Sequence, residues 1–106
     1  MPQKEQPNVL PLEGEIDLHV SPEVAESLRI MTAKKPQRVV VDLTKVTYLD
    51  SSGLAVLIEG MQNVQEYGGK FAVAGAQESV KHIFDTARLD QVFLIFSTVD
   101  EALAAN

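Results

Sequence analysis

The sequence predicts an α/β fold: a four-stranded, mostly parallel sheet with four helices in β-α-β-α-β-α-β-α order. Three observations carry this expectation. Short apolar segments alternate along the chain with stretches of helical period, and such alternation makes a largely parallel sheet with right-handed crossovers. Val39-Val40-Val41 is a β-branched run without alternation, the pattern of a strand buried on both faces. Prolines and glycines stand where helices should begin or end, at Pro22, Pro36 and Gly68-Gly69.

Taken in order, residues 1–8 are polar, carry two prolines and read as a loose tail. Residues 9–13 form a short strand candidate. Pro11 within it cannot donate a ladder hydrogen bond, which favours a sheet edge. Gly14 to Asp17 reads as a turn or a short extension. Ser21-Pro22 opens the first helix, with Ser21 at the N-cap and Pro22 at the first helical position. Val24, Leu28 and Met31 follow at helical spacing, and the helix ends near Lys34-Lys35-Pro36. A strand over 38–43 leads to a second helix over about 52–67, whose apolar stripe is Leu54, Leu57, Ile58, Met61 and Val64. Gly68-Gly69 ends it. A strand over 70–74, a helix over about 77–88 and a strand over 91–96 follow. Thr98 and Glu101 then fit a capping box opening a short last helix, with Ala102 and Leu103 inward.

The chain has 106 residues, enough for one domain, and no linker divides residues 9–106. Surface scaling leaves about 65% of the unfolded chain's surface buried at this size, so a single core suffices. There are no cysteines, which excludes disulfides, thiolate metal sites and cysteine nucleophiles. No strictly apolar run exceeds five residues, too few for a membrane span, and the N-terminus lacks the apolar region of a secretory signal. A cytoplasmic location is the expectation. With 9 Lys+Arg against 15 Asp+Glu, the net charge of −6 disfavours nucleic-acid binding.

In parallel sheets sites gather at the carboxyl ends of strands. Two polar segments leave such ends here: Glu15-Ile16-Asp17 and Tyr48-Leu49-Asp50-Ser51-Ser52-Gly53. Asp50, Ser51 and Ser52 stand at the N-terminal edge of an apolar helix. Plain capping accounts for any one of them. Two adjacent hydroxyls followed by Gly53, where a missing side chain lets another molecule approach the backbone, suggest more. A phosphoryl group on a first-turn serine would face unpaired N–H donors and add about −2 charges to a rigid surface, a reversible switch on a preformed face.

The stretch VVVDLTKVTYLDSSGLAVLIEGMQNVQEYGGKFAVAGAQESVKHIFDTARLDQVF resembles the STAS domain of bacterial anti-sigma factor antagonists, and LEGEIDLHVSPEVAESL is similar to that family's Gly-Glu-Ile/Leu-Asp segment and the helix after it. The resemblance covers about residues 9–104. It implies a STAS fold and partner switching. In that family the unphosphorylated protein binds an anti-sigma factor that is also a serine kinase holding ATP, which frees a sigma factor. Phosphorylation of the first hydroxyl residue after the motif's aspartate dissociates the complex, and a PP2C-type phosphatase restores the active form. On this chain the resemblance makes Ser51 the phosphoacceptor, Asp50 the motif aspartate, Ser52 the second hydroxyl position and Asp17 the aspartate bordering the site. The implied docking rim holds Asp17, Asp50, Ser51, Ser52, Gly53 and Leu54. No cofactor of its own is implied, since ATP belongs to the partner. Family members usually carry a further strand before the Gly-Glu turn, where this chain has residues 1–8, so an open sheet edge is expected. They often have glycine where Ala55 stands.

Other constellations carry less. His19 approaches Ser51 from the same rim with Asp17 nearby, a formal Ser-His-Asp set. Neither serine has glycine two residues before it, so the nucleophile-elbow pattern fails and the protein reads as a non-enzyme. His82 beside Lys81 reads as solvated. Gly68-Gly69-Lys70 lacks the spacing of a phosphate loop, and no ligand set for a metal is spaced to bind one. Val56, Gly60 and Asn63 lie on the less apolar side of the second helix and read as a solvated flank, with close packing of a partner helix at Gly60 as the alternative. Two other functions stay open: a STAS adaptor module in a non-sigma assembly, such as a lipid-transport or stress-signalling complex, and a small nucleotide-binding domain using the same helix N-terminus.

Overall fold

The computed structural model describes residues 8–105. Four strands, β1 (Val9–Ile16), β2 (Arg38–Leu49), β3 (Lys70–Ala74) and β4 (Leu94–Phe96), pair in the order β1-β2-β3-β4. Every pairing is parallel. The helices are α1 (Ser21–Ala33), α2 (Ser51–Glu66), α3 (Glu78–Thr86) and α4 (Val99–Ala104). The expected alternation is therefore the observed one. Among the described residues β1 pairs with β2 alone, which puts the exposed Pro11 on an edge strand where its missing N–H costs no ladder bond. Of the tail expected over 1–8, residues 1–7 lie outside the described residues, and the Asn8 carbonyl already accepts from the Val40 N–H at 2.9 Å.

The two sheet faces are covered unequally. Val39, Val41, Leu43, Phe71 and Val73 project from one face into a core completed by Val24 and Leu28 of α1, Leu57, Met61 and Val64 of α2, and Val80 and Phe84 of α3. Val40, Ala72 and Ala74 project from the other, where Ala102 of α4 covers them. The small residues on that face let a six-residue helix lie close. Arg38 fastens it, donating from Nη1 to the Ala102 and Leu103 carbonyls at 2.8 Å each.

Several boundaries differ from the sequence expectation. β1 and β2 run on past residues 13 and 43, so Gly14-Glu15-Ile16 is an extension and not a turn. The partners shift from Pro11↔Asp42 to Glu13↔Lys45, then from Gly14↔Val46 to Glu15↔Tyr48; each shift inserts one extra residue in β2. β4 begins at Leu94 because the Val92 and Phe93 N–H groups both return to the Leu89 carbonyl at 3.0 Å. A 3-10 turn over Leu89–Gln91 thus takes the place of strand, and Phe93 turns inward between Phe71 and Phe84, ring centroids 5.9 and 5.8 Å away. Gly60 is buried, not solvated: a Cβ there would lie 3.1 Å from both Leu28 Cδ1 and Phe71 Cε2. Its bareness lets α1 and the sheet approach α2. Gly68 has φ +86° just after the helix, the left-handed end that the paired glycines predict.

Candidate functional site

Because β1 and β2 are parallel neighbours and Ile16 is level with Leu49, the chain leaves both strands at one rim. Asp17 and Asp50 are the next residues, and the Asp50 N–H donates to the Ile16 carbonyl at 3.2 Å. Asp50 is the N-cap of α2, with extended backbone (φ −97°, ψ −173°). Its Oδ1 accepts from the Ser52 hydroxyl at 2.6 Å, the Ser52 N–H at 2.9 Å and the Gly53 N–H at 3.1 Å. The Ser52 hydroxyl is the main cause that holds the Asp50 carboxyl below its ordinary range; burial opposes it, and the Gly53, Ser52 and Leu18 N–H groups add to it.

Ser51 is the first residue of α2 and is exposed. Among the described residues its hydroxyl has no hydrogen-bond partner, in contrast to that of Ser52. The Ser52 Oγ lies 2.7 Å from the Ser21 Oγ, which belongs to the first residue of α1 and is 4% exposed. Here the expectation for Ser21 is corrected. The N-cap of α1 is Val20, and the Ser21 hydroxyl caps nothing because it is spent on Ser52.

Gly53 needs a different reason from the one its sequence position suggests. It is buried, and a Cβ there would stand 3.0 Å from the Ile16 carbonyl oxygen and 2.9 Å from Leu49 Cδ2. The approach it permits is that of its own sheet, so a docking molecule does not reach it. Two of the N–H donors expected to face a phosphate, those of Ser52 and Gly53, are already taken by Asp50. Leu54 is half-buried beside the core, its N–H closing the first turn on the Asp50 carbonyl at 3.0 Å.

Asp17 is on the rim but is not bonded to Ser51. Its Oδ1 accepts from the His19 N–H at 3.0 Å and the Val20 N–H at 3.2 Å, organising the turn into α1. The His19 ring makes no hydrogen bond to Ser51, so no Ser-His-Asp relay forms. Sequence reasoning missed Ser21, whose Ser-Pro context signals a cap. It also passed over Leu18 and Tyr48, apolar groups 71% and 48% exposed next to the two aspartates. Among the described residues no cluster of three or more histidines and carboxylates is placed to hold a metal, and no helix is long and apolar enough to cross a membrane.

The parallel α/β domain that carries this corner has known relatives. The family model described as "STAS domain" matches residues 1–102. An anti-sigma-F factor antagonist of Mycobacterium tuberculosis is 32% identical over 95 residues, covering 90% of this chain and 77% of that protein. An anti-sigma-B factor antagonist of Listeria monocytogenes is 28% identical over 93 residues, covering 88% and 82%. The crystal structure of an anti-sigma factor antagonist from Mycobacterium paratuberculosis superposes with a TM-score of 0.84 at 26% identity, covering 94% of this chain and 86% of that one. The chain belongs to the STAS-domain family.

Proposed function

We propose that this protein is a cytoplasmic anti-sigma factor antagonist, a binding protein and not an enzyme, controlled by phosphorylation of Ser51. The observation that carries the reading is the state of Ser51: an exposed hydroxyl without a hydrogen-bond partner among the described residues, at a helix start, in a chain whose relatives are named anti-sigma factor antagonists. The docking surface is the rim of Asp17, Asp50, Ser51, Ser52 and Leu54, with Gly53 supporting it from beneath and exposed Leu18 and Tyr48 extending it as apolar contacts. In the switching step the Ser51 Oγ attacks the γ-phosphorus of ATP held by an anti-sigma factor kinase. The bond from that phosphorus to the bridging oxygen breaks, ADP leaves with the electron pair, and the serine proton passes to a base of the kinase.

The consequence follows from the corner's electrostatics. Asp50 already satisfies the Ser52 and Gly53 amides, so a phosphate on Ser51 would find those donors occupied and would stand next to the Asp50 carboxylate. About −2 charges would then face the partner, and a PP2C-type phosphatase would remove them by hydrolysis of the phosphoester. The same occupied amides weigh against a nucleotide site at this helix start.

The test mixes the protein with ATP and each histidine-kinase-like serine kinase of its genome, locates phosphate by mass spectrometry, and compares pull-downs. Phosphate is expected on Ser51. Ser51→Ala should bind and resist modification, while Ser51→Asp should bind about ten-fold or more weakly, equivalent to about 1.4 kcal/mol. Equal binding by wild type and both variants would overturn the switch and favour an adaptor module.

A further inference from the structure

We infer that Ser21, at the start of α1, determines which of the two adjacent serines is open to phosphorylation: it locks Ser52 and leaves Ser51 as the acceptor. The inference rests on the proposed modification of Ser51 but concerns a residue outside the motif. A serine hydroxyl has one proton. That of Ser52 goes to Asp50 Oδ1 at 2.6 Å, so in the 2.7 Å contact between Ser21 and Ser52 the donor must be Ser21. The result is a directed chain, Ser21 to Ser52 to Asp50, across the seam between α1 and α2. The Ser52 oxygen both donates and accepts within it.

Phosphorylating Ser52 would require its Oγ to swing out, attack the γ-phosphorus of ATP, expel ADP with the bridging electron pair and pass its proton to a base of the kinase. Swinging out breaks both bonds and strands the Ser21 hydroxyl, which is 4% exposed and has no second hydrogen-bond partner among the described residues. Leaving a buried hydroxyl unpaired disfavours that state on the order of 10- to 100-fold. Ser51 carries no such penalty. Asp50 is a weak base toward Ser52, because three donors already share its Oδ1 and lower its affinity for a further proton. Ser21 is thus a positioning residue, acting on the reaction through Ser52.

The experiment compares wild type, Ser51→Ala, Ser21→Ala and Ser21→Ala/Ser51→Ala with ATP and the kinases above. Mass spectrometry reads the modified site, and circular dichroism checks that each variant is folded. Ser21→Cys, whose thiol is a weak donor, is the second variant should Ser21→Ala not fold. Wild type is expected to take phosphate on Ser51 alone and Ser51→Ala to take almost none. The double variant should gain phosphate on Ser52 about ten-fold or more faster than Ser51→Ala. Equal rates on Ser52 with and without Ser21 would overturn the inference while leaving the Ser51 switch intact. If no kinase modifies wild type, the switch fails and hydroxyl-proton exchange by NMR decides the lock on its own. A slowly exchanging Ser52 hydroxyl in wild type that becomes fast in Ser21→Ala supports it, and equal exchange overturns it.

Discussion

The corners where β1 and β2 give way to their helices begin alike and end differently. Each strand closes on a large aliphatic residue and an aspartate, Ile16-Asp17 and Leu49-Asp50. Each aspartate turns Oδ1 to the N–H groups two and three residues on: His19 and Val20 at 3.0 and 3.2 Å, Ser52 and Gly53 at 2.9 and 3.1 Å. Beyond Asp50 the chain is helical at once. Beyond Asp17 it makes a turn, and α1 starts four residues on, at Ser21. The side chains at the second and third positions separate the two. Ser52 adds a hydroxyl bond to Asp50, and Gly53 has no Cβ to strike the Ile16 carbonyl, so α2 settles directly on the sheet. His19 and Val20 offer neither, and the longer entry throws Leu18 into solvent. One aspartate pattern thus makes a rigid helix start that displays Ser51, and a looser loop that displays an apolar side chain beside it.

The largest test of this contrast is Gly53→Val. It would press branched carbons against backbone at Ile16 and should destabilise the fold by about 2–3 kcal/mol in urea unfolding. Val20→Ala, the third position of the other corner, should cost about 1 kcal/mol, the loss of partly buried methyl groups. If the two variants unfold alike, the corners are equivalent and the contrast is lost.

Asp50→Asn should come next, with a pH signature. The Asp50 carboxyl is held below its ordinary value of 3.8, chiefly by the Ser52 hydroxyl. A depressed carboxylate contributes stability that is fully present above its unfolded-state pKa and is lost as pH falls through the folded-state value. The stability gap between wild type and Asp50→Asn should therefore be flat at neutral pH and shrink as pH falls below 3.8. A gap unchanged into that range would mean that Asp50 acts only through its shape. Asp17→Ala, which removes a half-buried turn acceptor from two amides, should cost about 0.5–1 kcal/mol.

What the sequence revealed of these corners follows from how local each signal is. α2 was legible because its start, Asp50-Ser51-Ser52-Gly53, and its end, Gly68-Gly69, each satisfy backbone groups a few residues away. The added length of β2 was not, because two inserted residues shift its alternation and bring Val46 and Leu49 into the core three apart. Ser21 misled for the opposite reason: Ser-Pro is a strong local cap signal, yet its hydroxyl answers to a partner 31 residues away. Gly60 was misplaced likewise, since Leu28 and Phe71, which bury it, belong to other elements. STAS membership was legible from the motif and its spacing, whereas the tie from Ser52 to Ser21, 31 residues away, leaves no local signal.

The smallest effect sharpens the comparison by asking what sets α1 against α2. Two side-chain links join them: the Ser21–Ser52 hydrogen bond at the rim, and farther along the helices a forked pair in which Arg29 Nε and Nη2 meet Glu59 Oε2 and Oε1 at 3.1 and 3.3 Å. The ion pair is 55% and 42% exposed, so water and salt screen it. A double-mutant cycle over Arg29→Ala and Glu59→Ala should give a coupling of about 0.5 kcal/mol, falling toward zero in about 1 M salt. The rim link is largely shielded from solvent and should keep its coupling at that salt, which a parallel cycle over Ser21→Ala and Ser52→Ala would read. Should the ion pair prove the stronger and the less salt-sensitive, the two helices are aligned from their outer length and the corner merely follows.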